Sequence, residues 1–367
     1  MRFFVQTQDL NAATSTVIKA VSVKSTLQIL EGILVEATKD GLRLKCSDLS
    51  LQIETTIPAA VEEEGAIVVP GRLFSDMTRR LPAESVEITC AENTVTIQCG
   101  RFNTTLQGMP ASDFPDMPRI DGGLEVNLTQ RKVRDIVRQT IFATAQDDTK
   151  PILTGLLVEF EQDKIIAVAL DGYRLALRRE SCDLEATDQK AVLPAKSMLE
   201  VSRILQGDDD PIKITFAKTH VLFDMEHTRI VTRLLDGEFI RYRQILPSES
   251  NTRVRLNRME LLNSIERASL MAREDKSNLV RMDFTRETLH ISANSEMGKL
   301  NEEIPIALTG AELKIAFNAK YFTDVLKALE DEELYLDMNN SISPCVVKPV
   351  QGDGFYYLIL PMRIFGS

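Results

Sequence analysis

The sequence predicts an α+β fold: three similar tandem domains, each with two helices on β-sheets. Three observations carry that prediction. An internal period lies close to a third of the chain, amphipathic stretches of helical spacing recur at that period, and between them run alternating apolar and polar residues punctuated by Gly, Asp, Asn and Pro.

Three separate rulers give the period. In "VPGRLFSDMTRRL", "LPAKSMLEVSRIL" and "FNAKYFTDVLKAL", Arg72, Lys196 and Lys320 lie 124 residues apart each time. Arg79, Arg203 and Lys327 repeat the step, as do Phe74, Met198 and Phe322, and Leu81, Leu205 and Leu329. In "KSTLQIL", "KPILTGL" and "KSNLVRM", Lys24, Lys150 and Lys276 are 126 apart, with Leu27, Leu153 and Leu279 three residues on. Asp48, Asp171 and Asn294 are 123 apart and read as turn residues. This step is far longer than a solenoid unit, so each copy is a domain. Boundaries fall at the Pro/Gly/Asp-rich "MPASDFPDMPRIDGG" and at "LPSESNTR", giving domains 1–122, 123–248 and 249–367.

Within each copy the elements follow in order. A first helix is read from "LNAATSTVIKAV", "LTQRKVRDIVRQTIF" and "LNRMELLNSIERASLM", the Asn or Thr after Leu serving as N-cap. Strands follow, as in "GILVEATKDGLRLKCSDLSLQIETTIP", alternating with period two around the turn "KDG". The second helix comes next, predicted over 69–81 in the first copy, with Leu73, Phe74, Met77 and Leu81 on its packing side and Arg72 and Arg79 opposite. A hairpin closes each copy: "SVEITCAENTVTIQC", "PIKITFAKTHVLFDM" and "ELYLDMNNSISPCVVKP".

Composition bounds the function. The chain has 367 residues, 44% hydrophobic and 26% charged, with net charge −11. That acidity excludes a generally basic nucleic-acid binder but not one whose positive charge is gathered on one face. No apolar run approaches a membrane span, and "MRFFVQTQDL" turns polar too soon for a secretory signal. Cys46, Cys90, Cys99, Cys182 and Cys345 are odd in number and lack metal spacing, so they read as reduced thiols of a cytoplasmic protein.

What the outer face of each second helix does has two readings. On one, it is simply solvated. Asp76, Glu200 and Asp324 sit four residues after the first cation, where an ion pair is worth only about 0.2–0.5 kcal/mol. On the other, three copies of one basic face line a common surface, and Lys19, Lys24, Arg131, Arg134, Arg138, Lys150, Arg258 and Arg267 add to it. Point charges without a base-reading set suit a phosphate backbone: binding is then salt-dependent and sequence-independent. The preservation of the pair in three diverged copies favours the second reading.

Signals for chemistry are missing. There is no GxxxxGK[ST], GxGxxG or GxSxG motif. His220 and His227 flank "VLFDME", but strand alternation sets them on opposite faces, which argues against a metal. "GDDDP" at 207–211 reads as a turn between a helix and a hairpin. No catalytic residue, cofactor or metal is expected. Two rivals stand beside a binder of the phosphate backbone: a metal-dependent nuclease using Asp208 to Asp210, and a protein-only scaffold.

Several stretches together resemble the bacterial sliding clamps, the beta subunits of DNA polymerase III. They are "DGYRLAL" at 171–177, "ASDFP" at 111–115, "LDGEF…LP" at 235–247, "AEL.I.FN..Y..DVL.AL" at 312–329 and "LPMRI" at 360–364. The resemblance spans essentially the whole chain. It implies a crescent of three domains, head-to-tail pairing of two copies into a ring around duplex DNA, and helices lining the hole. It also implies a non-catalytic processivity role. The partners it implies are the DNA polymerase III alpha subunit, a clamp-loader ATPase, and other polymerases and repair proteins carrying clamp-binding peptides. Those peptides would enter an apolar pocket on the second domain beside the C-terminal tail. Carried over by motif, its walls are Leu175, Ile240, Ile245, Leu358, Leu360, Pro361 and Met362. Its rim is Lys150, Leu153, Leu170, Gly172, Tyr173, Arg174, Ile342, Pro344 and Arg363. Motif position sets Leu106 against Leu270 and Met271 at the subunit interface. The chain departs from the commoner pattern at Leu170, Tyr173, Ile240 and Gln244, and extends through Phe365, Gly366 and Ser367.

Overall fold

The computed structural model describes residues 1–22, 25–147, 149–184, 187–273 and 277–363. The sequence-predicted roles of Lys24, Lys276 and Phe365 to Ser367 fall outside them. The first copy runs β1 (Arg2–Gln6), α1 (Thr7–Val17), β2 (Gly32–Thr38), β3 (Gly41–Ser47), β4 (Leu51–Ile57), β5 (Ala60–Glu63), β6 (Gly65–Pro70), α2 (Gly71–Thr78), β7 (Ser85–Ala91), β8 (Thr94–Cys99), β9 (Phe102–Gln107) and β10 (Met109–Pro110). The second runs β11 (Leu124–Thr129), α3 (Gln130–Thr140), β12 (Gly155–Glu161), β13 (Lys164–Leu170), β14 (Arg174–Ser181), β15 (Lys190–Pro194), α4 (Ala195–Ile204), β16 (Pro211–Phe216), β17 (His220–Asp224) and β18 (Thr228–Arg233). The third runs β19 (Thr252–Asn257), α5 (Arg258–Ala272), β20 (Leu279–Phe284), β21 (Thr288–Ser295), β22 (Gly298–Pro305), β23 (Ala307–Gly310), β24 (Leu313–Asn318), α6 (Ala319–Ala328), β25 (Glu333–Met338), β26 (Cys345–Pro349) and β27 (Phe355–Ile359). The element order repeats almost strand for strand.

Two compact units result, and they cut through the second copy. One is Met1–Arg131 with Lys196–Leu234, the other Lys132–Ala195 with Leu235–Ser367. The first unit holds a five-stranded sheet, β5-β1-β7-β8-β9, and a nine-stranded one, β10-β6-β2-β3-β4-β18-β17-β16-β11. The second holds β15-β12-β13-β14-β27-β26-β25-β19-β23 and the four-stranded β22-β21-β20-β24. Each nine-stranded sheet is therefore shared between consecutive copies. The joints are antiparallel: β4 on β18, from Leu51↔Thr232 to Thr55↔Thr228, and β14 on β27, from Arg174↔Ile359 to Arg178↔Phe355.

Each strand that leads into a second helix has its outer edge capped in one way. Met109 pairs with Val68 on β6, the Leu235 amide donates to the Val192 carbonyl on β15, and the Met362 amide donates to Ala316 on β24. These capping residues follow β9, β18 and β27, so the C-terminal tail takes the place that the interdomain linkers take earlier. Burying a sheet edge requires such a partner for its backbone groups.

Local chemistry explains the turns. Gly41 closes the β2–β3 hairpin at φ +123°, which a side chain rarely adopts. Asp48 accepts from the amides of Ser50 and Leu51, and Asp171 from those of Tyr173 and Arg174, all within 3.0 Å. The residue after each, Leu49 and Gly172, has positive φ. The third ruler position differs: Asn294 lies on β21 opposite Lys299, because that hairpin runs two residues further before turning.

The helices correct several expectations. α2 is shorter than 69–81, since β6 runs to Pro70 and the chain leaves the helix ahead of Pro82. Its buried stripe is Gly71, Phe74, Ser75 and Thr78, while Leu73 is 48% exposed. The Thr78 hydroxyl meets that of Thr14 on α1 at 2.9 Å. Asn257 caps α5 as expected, accepting from Met259 and Glu260. α1 begins at Thr7, so Asn11 lies inside it and caps nothing. The five cysteines are free, four of them buried. No described helix is long and apolar enough to cross a membrane.

Candidate functional site: basic helix faces and an apolar partner site

The repeated cations sit where the period put them. Arg72, Arg79, Lys196, Arg203, Lys320 and Lys327 are all exposed, while Phe74, Met198 and Phe322 are buried. Their pairing is uneven. Lys320 meets Asp324 at 2.8 Å, four residues on, as expected. In α2 and α4 the acid pairs instead with the later cation, Asp76 with Arg79 and Glu200 with Arg203, three residues apart. Arg72 and Lys196 have no carboxylate partner among the described residues. Lys327 pairs with Glu266 on α5 at 2.7 Å.

The first helices contribute less than expected. Lys19 is half-buried and donates to the Arg203 carbonyl at 3.2 Å, and burial lowers its pKa. Arg138 is held by Glu330 at 2.6 Å and Asp135 at 2.8 Å. Arg258 donates to the carbonyls of Asp331 and Leu326, and Arg267 makes a two-pronged pair with Glu302. Arg131 and Arg134 lie on α3, Arg131 exposed and Arg134 half-buried, and Lys150 is exposed just before the helical turn at Pro151–Thr154.

The expected partner site separates into a buried floor and an exposed rim, all within the second unit. Leu153, Leu170, Leu175 and Leu358 join one buried cluster with Tyr242, Leu157 and Val192. Leu175 faces Leu358 across the β14–β27 joint. Leu153 and Leu170 are therefore floor, not rim. Ile240 (39% exposed), Ile245 (48%), Tyr173, Leu360 and Ile342 stand out from the surface, and Pro361, Met362 and Pro344 are half-buried. Arg363 and Gly172 are exposed. The tail is tied down by its amides: Leu360 donates to the Tyr173 carbonyl at 2.9 Å and Met362 to Ala316 at 2.8 Å. Tyr357 and Ile359 on β27 are fully buried.

Arg174 is the main correction. It was expected on the rim but is buried, donating to Asp171 at 3.1 Å, to Asp324 at 2.5 Å and to the Phe142 carbonyl at 2.6 Å. Its guanidinium lies over the Tyr321 and Phe142 rings, at 4.8 and 5.4 Å. Tyr321 in turn stacks on Tyr173. The sequence showed Asp171 three residues away but carried no sign of Asp324, 150 residues on.

At the expected subunit contact, Leu106 on β9 is 5% exposed and Leu270 at the end of α5 is 60% exposed, with Met271 half-buried. α5 packs across β20, β21 and β22. Both β9 and β22 are edge strands.

The residues weighed for catalysis have structural roles. The carbonyls of Asp208 and Asp210 accept from the first amides of α3, Arg131 and Gln130. His220 is on β17, but His227 sits in the turn after it, so strand alternation does not govern the pair. Among the described residues no group of three His, Cys, Asp or Glu is placed to hold a metal.

Comparison with known proteins shows the family. Family models of the DNA polymerase III beta subunit match in three pieces: N-terminal domain at 1–118, central domain at 127–240 and C-terminal domain at 243–363. The beta sliding clamp of Bacillus subtilis (strain 168) is 34% identical over 378 aligned residues, covering 100% of both chains. The crystal structure of the Bacillus subtilis DNA polymerase sliding clamp superposes with a TM-score of 0.96 at 34% identity, again over 100% of both chains. The sliding clamp of Pseudomonas aeruginosa bound to griselimycin gives a TM-score of 0.94 at 28% identity, covering 99% of this chain and 100% of that one. With three consecutive domain matches and full-length relatives above 30% identity, the chain belongs to the DNA polymerase III beta subunit family, the bacterial beta sliding clamps.

Proposed function

We propose that two copies of this chain, each of three clamp domains at 1–122, 123–248 and 249–367, close head to tail into a ring around duplex DNA in the cytoplasm. The chain is a sliding clamp of DNA replication by family. It tethers enzymes by topology and catalyses nothing itself. One observation carries the ring. Copy one is joined to copy two through β4 and β18, and copy two to copy three through β14 and β27. The strands at the same two positions that remain, β22 of the third copy and β9 of the first, are edges with no further strand beside them among the described residues. A second chain offers both missing partners, and the same joint made twice between chains closes the assembly. Leu270 and Met271 on α5, beside β22, and Leu106 on β9 are the apolar residues assigned to that joint.

Arg72, Arg79, Lys196, Arg203, Lys320 and Lys327, with Lys150, Arg131, Arg134 and Arg138, are assigned to face the phosphate backbone. Partner peptides of the DNA polymerase III alpha subunit, the loader ATPase and other polymerases and repair proteins are assigned to the surface around Tyr173, Ile240, Ile245, Leu360 and Met362. Griselimycin on the Pseudomonas aeruginosa clamp supports a ligand site of this kind. The test is retention after loading: clamp should stay on linear DNA with blocked ends and slide off free ends. Leu270→Ala with Met271→Ala should sediment as a folded monomer and fail to be retained. Equal loss from blocked and free DNA overturns the ring, and an unchanged dimer overturns the interface assignment.

A further inference from the structure

The partner site proposed above has a packed floor, but two of its exposed apolar residues, Ile240 and Ile245, lie on an irregular segment between β18 and β19. Such a segment needs something to fix it. The candidate is Glu159, a carboxylate in "GLLVEFE", where every residue of β12 but the last is buried. Burying a carboxylate is costly unless it is fully paired. Glu159 is: Lys190, its cross-strand neighbour, reaches it at 2.7 Å, the Tyr242 hydroxyl donates at 2.8 Å, and Arg243 approaches at 2.9 Å. Burial opposes its charge, yet the bonds from Lys190 and Tyr242 and the charge of Arg243 hold it below the usual carboxylate range.

Tyr242 connects this anchor to the rim. Its hydroxyl is bound to Glu159, and its ring packs among Leu153, Leu170, Leu175 and Leu358. Arg243 lies over the same ring at 5.2 Å and also pairs with Glu161 at 2.9 Å. The Tyr242 amide donates to the Ile240 carbonyl at 2.7 Å, and the helical turn that starts at Tyr242 ends at Ile245. Both isoleucines thus depart from one fixed point.

We propose that Glu159 is the positioning residue of the partner site: it does not touch the partner, but by anchoring Tyr242 it holds Ile240 and Ile245 at the spacing an apolar ligand must match. This rests on the partner-site reading above. A carboxylate kept inside a strand where an apolar residue would pack more cheaply is explained by that task.

The probe is griselimycin, titrated calorimetrically against full-length protein, with melting recorded for each variant. Ile245→Ala reports on the site itself and should weaken binding about tenfold. Glu159→Ala should weaken it by a similar factor, and the double variant little further, because one acts through the other. Glu159→Gln keeps an acceptor for the Tyr242 hydroxyl and should recover most of the affinity, although it loses the ion pairs. Tyr242→Phe, which keeps the ring, should repeat the Glu159→Ala result and serves if that variant does not fold. Wild-type affinity in Glu159→Ala or Tyr242→Phe, with Ile245→Ala weakened, overturns the proposal and leaves the site standing. Additive losses, or no recovery in Glu159→Gln, also overturn it. Wild-type affinity in Ile245→Ala overturns the site and the proposal with it.

Discussion

Replacing Arg174 by Ala should destabilise the second unit without unmaking the basic helices. The buried guanidinium donates three hydrogen bonds, two to carboxylates and one to the Phe142 carbonyl, and covers two aromatic rings. Removing one member of a buried ion pair costs about 3–5 kcal/mol, chiefly through the charge left behind. Here both acids keep other partners: Asp171 holds two amides and Asp324 holds Lys320 at 2.8 Å. The lower end, about 3 kcal/mol, is therefore expected. For a unit of about 200 residues this lowers the melting temperature by about 6–12 °C. Scanning calorimetry on the wild type, Arg174→Ala, Lys320→Ala and the double variant reads it. Lys320→Ala alone should matter little, and the double variant should lose more than the two singles together, because Asp324 then has neither cation. A shift under about 2 °C for Arg174→Ala would mean that the guanidinium is replaceable by solvent and that its place is on the rim after all.

Charge reversal at Arg72 and Lys196, which have no carboxylate partner among the described residues, should leave melting unchanged and make DNA retention less sensitive to salt. The log–log slope should fall by about 0.9 for each phosphate no longer neutralised. An unchanged slope would return these faces to solvent. Deleting Met362 to Ser367 removes the cap on Ala316 as well as one wall of the proposed partner site; the truncated protein should still dimerise but, in titration calorimetry, show none of the griselimycin binding proposed for the full chain. Asp337 is buried, but bonds from Arg253 at 2.7 Å and Lys348 at 3.0 Å hold its pKa below the ordinary value despite the burial. Its contribution is therefore complete above about pH 4 and fades as pH falls through the lowered value. Asp337→Asn should melt lower than wild type at pH 7, and the gap should narrow on acidification; a gap that is constant with pH would refute the pairing.

The three-fold plan was legible because packing residues such as Phe74, Met198 and Phe322 must recur wherever the same helix meets the same sheet. Hairpins were legible because their turn residues are local, as Gly41 and Asp171 illustrate. What depends on distant partners was not. Nothing near Arg174 announces Asp324, and nothing in β4 or β14 announces that the neighbouring strand comes from the next copy. Leu73 misled because a helix of eight residues has room for only a narrow buried stripe. Glu159 and Tyr242 each look ordinary in sequence, since their bond joins positions 83 apart.

The shared sheets also govern how the chain can be made. Thr55 pairs with Thr228 and Arg174 with Ile359, so neither nine-stranded sheet can close while only its first copy exists. During synthesis the edge of β4 waits for β18. The edge of β14 waits for residues 355–359, far downstream in the chain. The nascent chain therefore presents, in turn, open edges at the position that β22 keeps in the finished protein. A finished but unpaired chain nearby, with β9 open, offers each of them a wrong partner in trans, and slow long-range pairing lengthens the exposure. The feature proposed to let two chains complete one ring thus makes their separate birth a hazard, and rapid dimerisation of finished chains would remove the competing edge.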